Sequence, residues 1–401
     1  MTPPNLLCHV CGDGALELFP VFPSLLRACS DGRPWKAGGA LGFCTLCRTV
    51  QKPVDDAWRA ESREIYSRYD PYHQSIGGAE QAVFDQKTGA ATPRSARILS
   101  AVHTLARLQG KGRMLDIGCG NGPMLRAASD VAPEWELNGL DPHVKSRDAL
   151  LQIRGVKEIF EGSVDDVPGT FDLISVIHTL EHIENPVSFL KRIGAKLAPK
   201  GQLLIEVPYF VDNPFDLLLA DHCSHFTQAT LLAALVAAEF SPVVMRTDVV
   251  AKEITVLAER ASSGQRISLV EVPASDIDKT RTAVQTALGW FQALLSEAKA
   301  ISSSDNFGLF GTSISANWLL GALSDRVRFF VDEDPSRIGT TYFGCPVLHP
   351  RKAPRGSDVF MVLPRFLAEQ IIARLRPEGA RFHLSPEYKA VITEVPYAAR
   401  N

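Results

Sequence analysis

A glycine-rich turn behind a short apolar strand is the first place in this sequence where ligand chemistry is expected. The run MLDIGCGNGPML occupies positions 114–125. Glycines let the chain turn sharply and let a ligand rest against the backbone, and the helix that follows offers free N–H groups. The positions that we expect to contact a cofactor with an adenosine end are Asp116, Gly118, Cys119, Gly120, Asn121 and Gly122.

A second apolar strand ends in Asp141, followed by Pro142, about two dozen residues after the first strand. A carboxylate at this position can accept hydrogen bonds from both hydroxyls of a ribose. The turn lacks the three-glycine pattern of pyrophosphate-binding enzymes, because Pro123 stands where the third glycine would fall. The alternative of a nicotinamide cofactor is weakened accordingly.

Four of the eight cysteines form two Cys-x-x-Cys pairs, which indicate a metal site rather than a secreted disulfide framework. Two such pairs complete a closed tetrahedral site of four sulfur ligands, for which zinc is the expected ion and a structural role follows. Four reduced cysteines without a metal are the alternative. The predicted ligands are Cys8, Cys11, Cys44 and Cys47.

Two histidines, His222 and His225, follow the fifth predicted strand, near the sheet edge where ligands bind in doubly wound folds. An imidazole titrates near neutral pH, so one of them can remove a proton from an acceptor. Alternatively, either histidine caps the helix that starts at Thr227 or packs beneath it, and a metal pair is a third alternative. We interpret His182 as a surface or capping group and Cys119 as a small packed residue.

An aromatic and polar stretch covers residues 64–75 and ends before a Gly-Gly pair that breaks any helix. It is a candidate lid or linker. The alternative is a helix that packs Tyr66 and Tyr69 against the next domain.

Hydrophobic periodicity places these motifs on an alternation of helices and strands. An apolar stripe at Ile98, Val102, Leu105 and Leu108 predicts a helix before the glycine-rich turn. A long helix from Ser275 is expected to connect two domains. Strands are predicted over 114–116, 135–141, 158–163, 171–177, 202–207, 242–246, 253–258 and 358–363. A strand, a glycine turn and a helix are predicted within 306–320, and 328–334 follows them in a second, smaller βαβ layer.

Composition narrows the class of protein. The 401 residues with 45% hydrophobic content exceed what one core usually supports, so two or three domains are expected. A net charge of −3 without a long basic run argues against nucleic acid as a partner. No segment has the ~20 apolar residues of a membrane helix, and the N-terminus lacks a signal sequence. We therefore expect a cytoplasmic protein whose partners are small molecules, and its oligomeric state is left open.

Four motifs occur in a fixed order along the central part of the chain. The glycine-rich turn comes first, then the acid Asp141, then Phe-Asp-Leu-Ile at 171–174 and His-Thr-Leu-Glu-His-Ile at 178–183. In this order the chain resembles the class I S-adenosylmethionine-dependent methyltransferases over residues 95–260. The resemblance implies an α/β fold with a Rossmann-like sheet and S-adenosylmethionine as the cofactor.

The same resemblance implies a role for individual residues. The glycines at 118–122 would line the methionine and ribose of the cofactor, and Asp141 would hold the ribose hydroxyls. Ser163 and Val164 would border the adenine, and His178 would lie near the sulfonium.

Over nearly its whole length the chain resembles the sugar-nucleotide C-methyltransferases of deoxysugar pathways. The implied order is an N-terminal zinc module of four cysteines with a lid or linker at 1–75, a methyltransferase domain at 76–262, and a connecting helix with a C-terminal Rossmann-like α/β domain at 263–401. The implied substrate is a nucleotide-linked keto sugar.

In that family a Tyr-His-Glu-His-x-x-Tyr-Phe segment supplies the base. Here residues 219–226 read Leu-Ala-Asp-His-Cys-Ser-His-Phe, so His222 is retained while the tyrosine and the first histidine are not. The resemblance implies that His222 removes a proton beside the keto group of the sugar. His225, Tyr209 and Tyr72 are candidates to stabilise the charge that develops on oxygen.

Two other functions stay open. One is O- or N-methylation of a different small molecule, where positioning alone can suffice. The other is a binding or scaffolding protein that keeps the methyltransferase fold without turnover.

Overall fold

The computed structural model describes residues 6–69, 82–84, 91–261, 275–375 and 379–390. The candidate substrate residue Tyr72 lies outside these described residues. Within them, no helix is both long enough and apolar enough to cross a membrane.

The N-terminal part consists of short strands around the two Cys-x-x-Cys loops, followed by one helix. Strands of two or three residues bury little surface by themselves, and the buried rings of Phe19, Phe22 and Phe43 supply the apolar packing. The elements are β1 (Leu16–Leu18), a 3-10 helix (Phe22–Ser24), β2 (Arg27–Ala28), β3 (Pro34–Trp35), β4 (Gly42–Cys44), β5 (Val50–Gln51) and α1 (Asp56–Tyr66).

The helix α1 starts at a side-chain cap and is held by a buried ion pair. Asp55 is its N-cap and accepts a hydrogen bond from the backbone N–H of Trp58 at 2.8 Å, which satisfies one free donor of the first turn. Arg27 donates two hydrogen bonds to Glu61 on this helix, at 2.6 and 2.7 Å. The helix is therefore fixed relative to the N-terminal strands.

The central part alternates strands with helices. Its strands are β6 (Ala82–Phe84), β7 (Ala91–Pro93), β8 (Arg113–Ile117), β9 (Glu136–Asp141), β10 (Val156–Glu161), β11 (Phe171–Ile177), β12 (Leu197–Pro208), β13 (Ser224–His225), β14 (Phe240–Arg246) and β15 (Glu253–Arg260). Its helices are α2 (Arg94–Val102), α3 (Pro123–Val131), α4 (Arg147–Leu151), α5 (Pro186–Lys196) and α6 (Gln228–Ala237). Short 3-10 helices cover Val164–Asp166, Leu180–His182 and Pro214–Leu218.

Seven of the described strands form one sheet in the order β10-β9-β8-β11-β12-β15-β14. The strands β8 to β12 run parallel, and β15 runs antiparallel to both of its neighbours. Their runs of Val, Ile and Leu are buried, as expected for strands covered on both faces by helices. The order reverses between β8 and β11, which creates the crevice where ligands bind in such sheets. The predicted Rossmann-like α/β sheet is confirmed.

One part of the sequence prediction is wrong in the central part. The apolar stripe was expected to continue a helix to Leu108, but α2 ends at Val102. Leu105 is exposed, and Leu108 is buried beyond the helix. Arg107 has a positive φ of 53°, so the chain leaves helical geometry between these two leucines.

The C-terminal part forms a second α/β layer behind a long helix. Its described elements are α7 (Ser275–Ile301), β16 (Phe307–Phe310), α8 (Ile314–Leu323), β17 (Val327–Val331), β18 (Thr341–Tyr342), β19 (Cys345–Leu348), β20 (Asp358–Met361), α9 (Arg365–Leu375) and β21 (Arg381–Leu384), with 3-10 helices at Ser324–Arg326 and Pro350–Lys352. The sheet order is β18-β19-β17-β16-β20-β21, and β19, β17, β16, β20 and β21 run parallel.

Aromatic rings connect this layer to the central part. Phe215 packs edge-on against Phe291 of α7 and Trp318 of α8, with ring centroids 5.2 and 5.8 Å apart. The Trp318 indole N–H also donates to the Leu26 carbonyl at 2.7 Å. A continuous core therefore runs through all three parts of the chain.

Candidate active site

The glycine-rich turn joins β8 to α3 at the carboxyl edge of the central sheet. Gly118, Gly120 and Gly122 have φ values of 76°, 48° and 82°, a region that side chains with a Cβ disfavour. A Cβ at Gly118 would overlap the Thr179 hydroxyl, whereas a Cβ at Gly120 would meet nothing within 4 Å. The turn therefore packs on one side and leaves open space on the other, as a cofactor cradle requires.

Asp141 ends β9 beside this turn. Its carboxylate accepts the Gly120 N–H at 3.1 Å and the His143 N–H at 2.9 Å. A carboxylate has about four acceptor positions, so both oxygens keep capacity for ribose hydroxyls. Asp116, one strand away, accepts the Ser175 hydroxyl at 2.6 Å and is buried, so that its side chain supports the turn from below.

The other predicted cofactor residues lie along the same edge. Pro142 is exposed just beyond Asp141. Ser163 caps the 3-10 helix after β10, where its hydroxyl accepts the Asp165 N–H, and Val164 is buried. The pairing of Glu161 with Asp141 in neighbouring strands brings this corner next to Asp141.

Two residues between the glycines differ in their surroundings. Cys119 is buried with its sulfur over Gly139, where a Cβ would come within 2.8 Å of it. Burial raises the pKa of the Cys119 thiol well above its ordinary value, so the thiol is a packed group and only its backbone borders the turn. The Asn121 carbonyl accepts a hydrogen bond from Arg126 at 2.7 Å.

His178 follows β11 and lies in a cluster of carboxylates. Its φ of 48° turns the chain at the strand end, and its N–H donates to the Glu206 carbonyl at 2.9 Å. Its ring nitrogens lie 3.3 Å from Glu181, 3.4 Å from Glu206 and 3.8 Å from Glu253. All three glutamates are buried.

The charge balance of this cluster sets the protonation of His178. Burial lowers the pKa of His178, but Glu253, Glu181 and Glu206 outweigh it and raise that pKa to about 10. Arg94 opposes this rise, because its Nη1 lies 2.7 Å from the His178 Nε2. Burial raises the pKa of Glu253 to about 7.

His182 and His222 face each other next to Glu181. The two rings meet edge to face, with centroids 4.5 Å apart and planes at 83°. One ligand-type atom from each of Glu181, His182 and His222 lies within 4.8 Å of the other two. Both Glu181 oxygens are buried, and among the described residues neither has a hydrogen bond of good geometry. Groups in this arrangement can share a proton or hold a small cation.

Each histidine of this pair is oriented through its Nδ1. The His182 Nδ1 lies 3.1 Å from the Asp221 carbonyl and 2.9 Å from the Tyr66 hydroxyl. The His222 Nδ1 lies 2.6 Å from the Asp216 carboxylate. Because both Nδ1 atoms have partners, the Nε2 atoms are the ones available for chemistry.

His225 lies behind Asp216 rather than beside His182. Its Nδ1 is 2.5 Å from the second Asp216 oxygen, and its Nε2 is 2.9 Å from the Lys52 ammonium. Neither histidine caps the next helix, because Thr227 is the N-cap of α6 and accepts the Thr230 N–H. The structure thus arranges Lys52, His225, Asp216 and His222 in a buried chain.

The pKa values of His222, His225 and His182 are shifted in different directions. Burial lowers the pKa of His222, but the hydrogen bond to Asp216 and the neighbouring acids outweigh it and raise that pKa. Burial and the Lys52 charge lower the pKa of His225 to about 4, although Asp216 opposes this. Burial lowers the pKa of His182 below its ordinary value. A proton on the facing pair therefore belongs on His222.

The end of α1 closes this site from the N-terminal side. Tyr66 contacts His182, and Tyr69 packs against Tyr66 with ring centroids 5.3 Å apart. The Tyr69 carbonyl accepts a hydrogen bond from Lys145 at 2.7 Å. Tyr209, the other predicted substrate residue, is buried at 5% exposure, and its N–H donates to the Lys252 carbonyl.

The two Cys-x-x-Cys loops bring four sulfur atoms together. Sγ distances are 3.6 Å between Cys8 and Cys47 and 3.7 Å between Cys11 and Cys44. A tetrahedral zinc with Zn–S bonds of ~2.3 Å implies separations of about 3.8 Å. Backbone N–H groups of both loops donate to the Cys8 and Cys44 sulfurs at 3.3 Å, which favours thiolates. The four cysteines therefore fit a metal ion.

Several residues of the site were not predicted from the sequence. The interpretation of His182 as a surface or capping group is wrong, because its ring lies between Tyr66 and His222. Asp216, Lys52 and Arg94 were not considered. The segment His-Thr-Leu-Glu-His at 178–182 could have indicated a role for His182, because it concentrates ionisable side chains. No local sequence pattern indicates a role for Lys52.

Comparison with known families identifies the central part of the chain. Residues 91–244 match the family described as a methyltransferase domain. The chain is 31% identical over 100 residues to the mitochondrial ubiquinone biosynthesis O-methyltransferase of Schizosaccharomyces pombe, covering 23% of this chain and 36% of that protein. It is 28% identical over 119 residues to the trans-aconitate 2-methyltransferase of Deinococcus radiodurans, covering 28% of this chain and 45% of that protein. The chain thus spans less than half the length of these relatives.

Solved structures give weaker likenesses. The plantazolicin methyltransferase BpumL, in complex with monoazolic desmethylPZN analog and SAH, has a TM-score of 0.39 and 15% identity over 51% of this chain and 96% of its own. Human N-acetylserotonin methyltransferase, in complex with SAM, has a TM-score of 0.35 and 18% identity over 42% of this chain and 52% of its own. The family match covers residues 91–244, and the central sheet of this part has a Rossmann-like strand order.

Proposed function

We propose that this protein is an S-adenosylmethionine-dependent methyltransferase that removes a proton from a small-molecule acceptor with the histidine pair His182 and His222. The observation that carries the proposal is the continuity of contacts from the cofactor turn to this pair. Gly118 of the turn packs on Thr179. Three residues further along the same segment, His182 faces His222.

The cofactor residues hold S-adenosylmethionine at the glycine-rich turn. Asp141 accepts the ribose hydroxyls, Gly120 offers the open side of the turn, and Ser163 and Val164 border the adenine. The cofactor supplies an electrophilic methyl group on sulfur. The residues from Gly118 to Gly122 keep the backbone close to it, because no glycine Cβ intervenes.

The histidine pair handles the acceptor proton as one unit. His182 is the more exposed ring, with 17% of its side chain accessible against 4% for His222, so His182 contacts the acceptor. Its Nδ1–H donates to the Asp221 carbonyl, which leaves Nε2 as the base. Asp216 then stabilises the positive charge that the pair acquires at His222, as a carboxylate does in other catalytic dyads.

Carbon methylation of a nucleotide-linked keto sugar is the reaction that this arrangement supports best. A carbon beside a ketone is a weak acid and needs a base for its proton, and His222 occupies the position of the family base. Tyr66 contacts His182, and His178 contacts Glu181 next to the pair, so both are candidate donors to the oxygen on which charge develops.

O-methylation is the second candidate. The names of the relatives, ubiquinone biosynthesis O-methyltransferase and trans-aconitate 2-methyltransferase, describe small acceptors that carry oxygen. A hydroxyl group also profits from a base, but positioning alone can suffice.

We also propose that the four cysteines hold one structural zinc ion. Four sulfur ligands leave no open coordination position, so this ion supports the fold around β1, β4 and β5. The chemistry of methyl transfer does not involve it.

Calorimetric titration with S-adenosylmethionine tests the cofactor site. Wild-type protein is expected to bind, and Asp141→Ala is expected to weaken binding about 10- to 100-fold, since hydrogen bonds to a charged group contribute ~1.5–3 kcal/mol. Asp172→Ala is the matched control, because Asp172 accepts the Arg113 N–H at the opposite edge of the sheet. Absence of binding by the wild type would refute the methyltransferase proposal and favour a scaffold.

Methyl transfer to nucleotide 4-keto sugars and to phenolic acids tests the acceptor class. Replacing either histidine of the pair, as in His182→Ala and His222→Ala, is expected to lower kcat about 10²- to 10⁴-fold, the usual contribution of general-base catalysis. The control is His103→Ala, a histidine at the end of α2. Full activity of both variants on a phenol would refute the base and leave positioning as the mechanism.

A further inference from the structure

Lys52 is a buried lysine in an unusual environment. The residue is 1% exposed, and among the described residues no carboxylate lies within ion-pair distance of its ammonium. The ammonium instead contacts the His222 carbonyl at 2.8 Å and the His225 Nε2 at 2.9 Å. Burying a charge without an ion pair costs free energy, so we expect this lysine to have a functional role.

The hydrogen-bond roles along the buried chain follow from Lys52. A lysine ammonium only donates, so the His225 Nε2 must accept. The His225 proton then lies on Nδ1, which donates to one oxygen of Asp216. An ionised carboxylate only accepts, so its other oxygen receives the Nδ1–H of His222. The Nε2 of His222, facing His182, becomes the one titrating position of that ring.

These roles hold while Lys52 carries its charge. Burial lowers the pKa of Lys52 to about 7, and Asp216 opposes this most strongly. The other groups that act on it are Arg27, which lowers its pKa, and Cys223 and Asp221, which raise it. The Lys52 charge in turn lowers the pKa of His225, which keeps that ring neutral and able to accept.

Lys52 comes from the N-terminal part of the chain, not from the central sheet. The strand β5 pairs antiparallel with β13, so that Val50 lies opposite His225. The Lys52 N–H continues this pairing and donates to the Cys223 carbonyl at 2.9 Å. Gln51, directly before it, donates to the Cys8 sulfur at 3.0 Å. A single strand pair thus links the cysteine cluster to the histidine segment.

We propose that Lys52 is a positioning residue that holds the His225 Nε2 unprotonated, so that of the two imidazoles on Asp216 only His222 takes up a further proton, and that it thereby couples the N-terminal cysteine module to the proton-accepting pair. This inference rests on the proposed function for its catalytic consequence. Its structural content, the proton positions on the two rings, is independent of turnover.

Histidine NMR with ¹⁵N-labelled rings tests those proton positions in the full-length protein. Slightly below neutral pH, where Lys52 is charged, wild-type His225 is expected to be neutral with its proton on Nδ1, and His222 is expected to keep its Nδ1 proton while its Nε2 titrates. In Lys52→Met the pKa of His225 is expected to rise above its value of about 4, because the neighbouring positive charge is lost. Lys52→Gln, which keeps an N–H donor but not the charge, is expected to raise that pKa less.

The matched control is Lys196→Met, since the Lys196 ammonium also donates to two backbone carbonyls, of Asp165 and Val167, but lies in α5. It is expected to leave both rings unchanged. An unchanged His225 pKa in Lys52→Met would overturn the proposal. If Lys52→Met does not fold, Lys52→Gln decides, because an unchanged His225 pKa in that folded variant would also overturn it.

Activity provides the second readout. Lys52→Met is expected to lower kcat by part of the roughly 10²- to 10⁴-fold that general-base catalysis contributes. Its affinity for S-adenosylmethionine is expected to be unchanged. In a His225→Leu background the same substitution is expected to have no further effect on kcat, since Lys52 acts through His225. Additive losses would overturn the proposal. A wild type without methyl transfer but with the expected tautomers would refute the proposed function and leave the role of Lys52 standing.

Discussion

At the scale of single residues, Asp216 determines what the histidine pair can do. One carboxylate binds two imidazoles, His222 at 2.6 Å and His225 at 2.5 Å. Burial raises the pKa of Asp216, but the two histidines outweigh it and hold that pKa well below its ordinary value. Asp216 therefore stays ionised at neutral pH and favours positive charge on His222.

Asp216→Asn is expected to change the pH profile of methyl transfer. A base acts in its unprotonated form, so kcat/KM rises with pH through the apparent pKa of the histidine pair. Asp216 raises the pKa of His222, so removing its charge moves this acidic limb to lower pH. The maximum rate should fall at least about tenfold, because the charge on His222 is no longer stabilised.

The measurement is kcat/KM between about pH 5 and 9. Asp358→Asn is the matched control, since Asp358 also binds a histidine ring, His383, at 2.7 Å but belongs to the C-terminal sheet. An acidic limb that stays in place or moves to higher pH in Asp216→Asn would contradict the assigned role.

At the scale of elements, the glycines of the glycine-rich turn have different roles: Gly118 packs against Thr179, whereas Gly120 faces the open side proposed for the cofactor. Gly120→Ala is expected to destabilise the fold by only about 1–2 kcal/mol, the cost of a left-handed residue, because the new Cβ meets nothing within 4 Å. That Cβ occupies the open side of the turn, so affinity for S-adenosylmethionine should fall more than about tenfold.

Gly344→Ala gives the matched comparison for Gly120→Ala. Gly344 also has a positive φ, 80°, and open space at its Cβ position, but it lies in the C-terminal part. Calorimetry and urea unfolding should give the same stability loss with full cofactor affinity. Equal cofactor affinity in both variants would place the cofactor elsewhere.

The cysteine module is the second element with a distinct prediction. Cys44→Ser is expected to remove one equivalent of zinc per chain, destabilise the N-terminal part by several kcal/mol, and reduce methyl transfer, because β5 carries Lys52 to the histidines. Zinc content by mass spectrometry, thermal unfolding and methyl transfer measure the three effects. Cys345→Ser is the control thiol, in β19. Zinc-free wild-type protein with normal stability would contradict the metal assignment.

The sequence predicted those elements whose signal is local. The central strands follow runs of Val, Ile and Leu, and β11 has the predicted bounds Phe171–Ile177. The turn at Gly118 and the acid Asp141 are likewise readable from strand, glycine and spacing. The pairing of β5 with β13 was not predicted, because strands of two residues have no periodicity. The position of His182 likewise involves a residue distant in sequence, Tyr66, and the ring of His222.

At the scale of the whole molecule, buried residues of all three parts belong to one core. Asn317 of α8 donates to the Gly32 carbonyl at 2.8 Å, and Trp318 donates to the Leu26 carbonyl, so the C-terminal layer holds the N-terminal strands. The predicted domain bounds stay predictions. One contact between the parts lies next to Asp216, because the preceding residue, Phe215, packs against Trp318.

Trp318 tests whether this shared core supports catalysis. Its fully buried ring packs on Phe215, the residue before Asp216. Trp318→Ala is expected to lower the free energy of unfolding by about 3–5 kcal/mol. It is also expected to lower kcat, because Phe215 loses its packing contact with the Trp318 ring. The glycine-rich turn follows β8, whereas Trp318 packs on Phe215 in the segment after β12, so affinity for S-adenosylmethionine should stay unchanged. Urea unfolding, calorimetry and kcat measure these effects.

Trp135→Ala distinguishes a loss of stability from a loss of positioning. Trp135 is buried beside Gly112, at the opposite edge of the central sheet, so its removal should destabilise the protein to a similar extent. Because it lies far from Phe215 along the sheet, kcat of the folded variant should remain that of the wild type. A fall in kcat for Trp135→Ala equal to that for Trp318→Ala would mean that stability alone limits turnover, and the C-terminal layer would then have no specific part in holding Asp216.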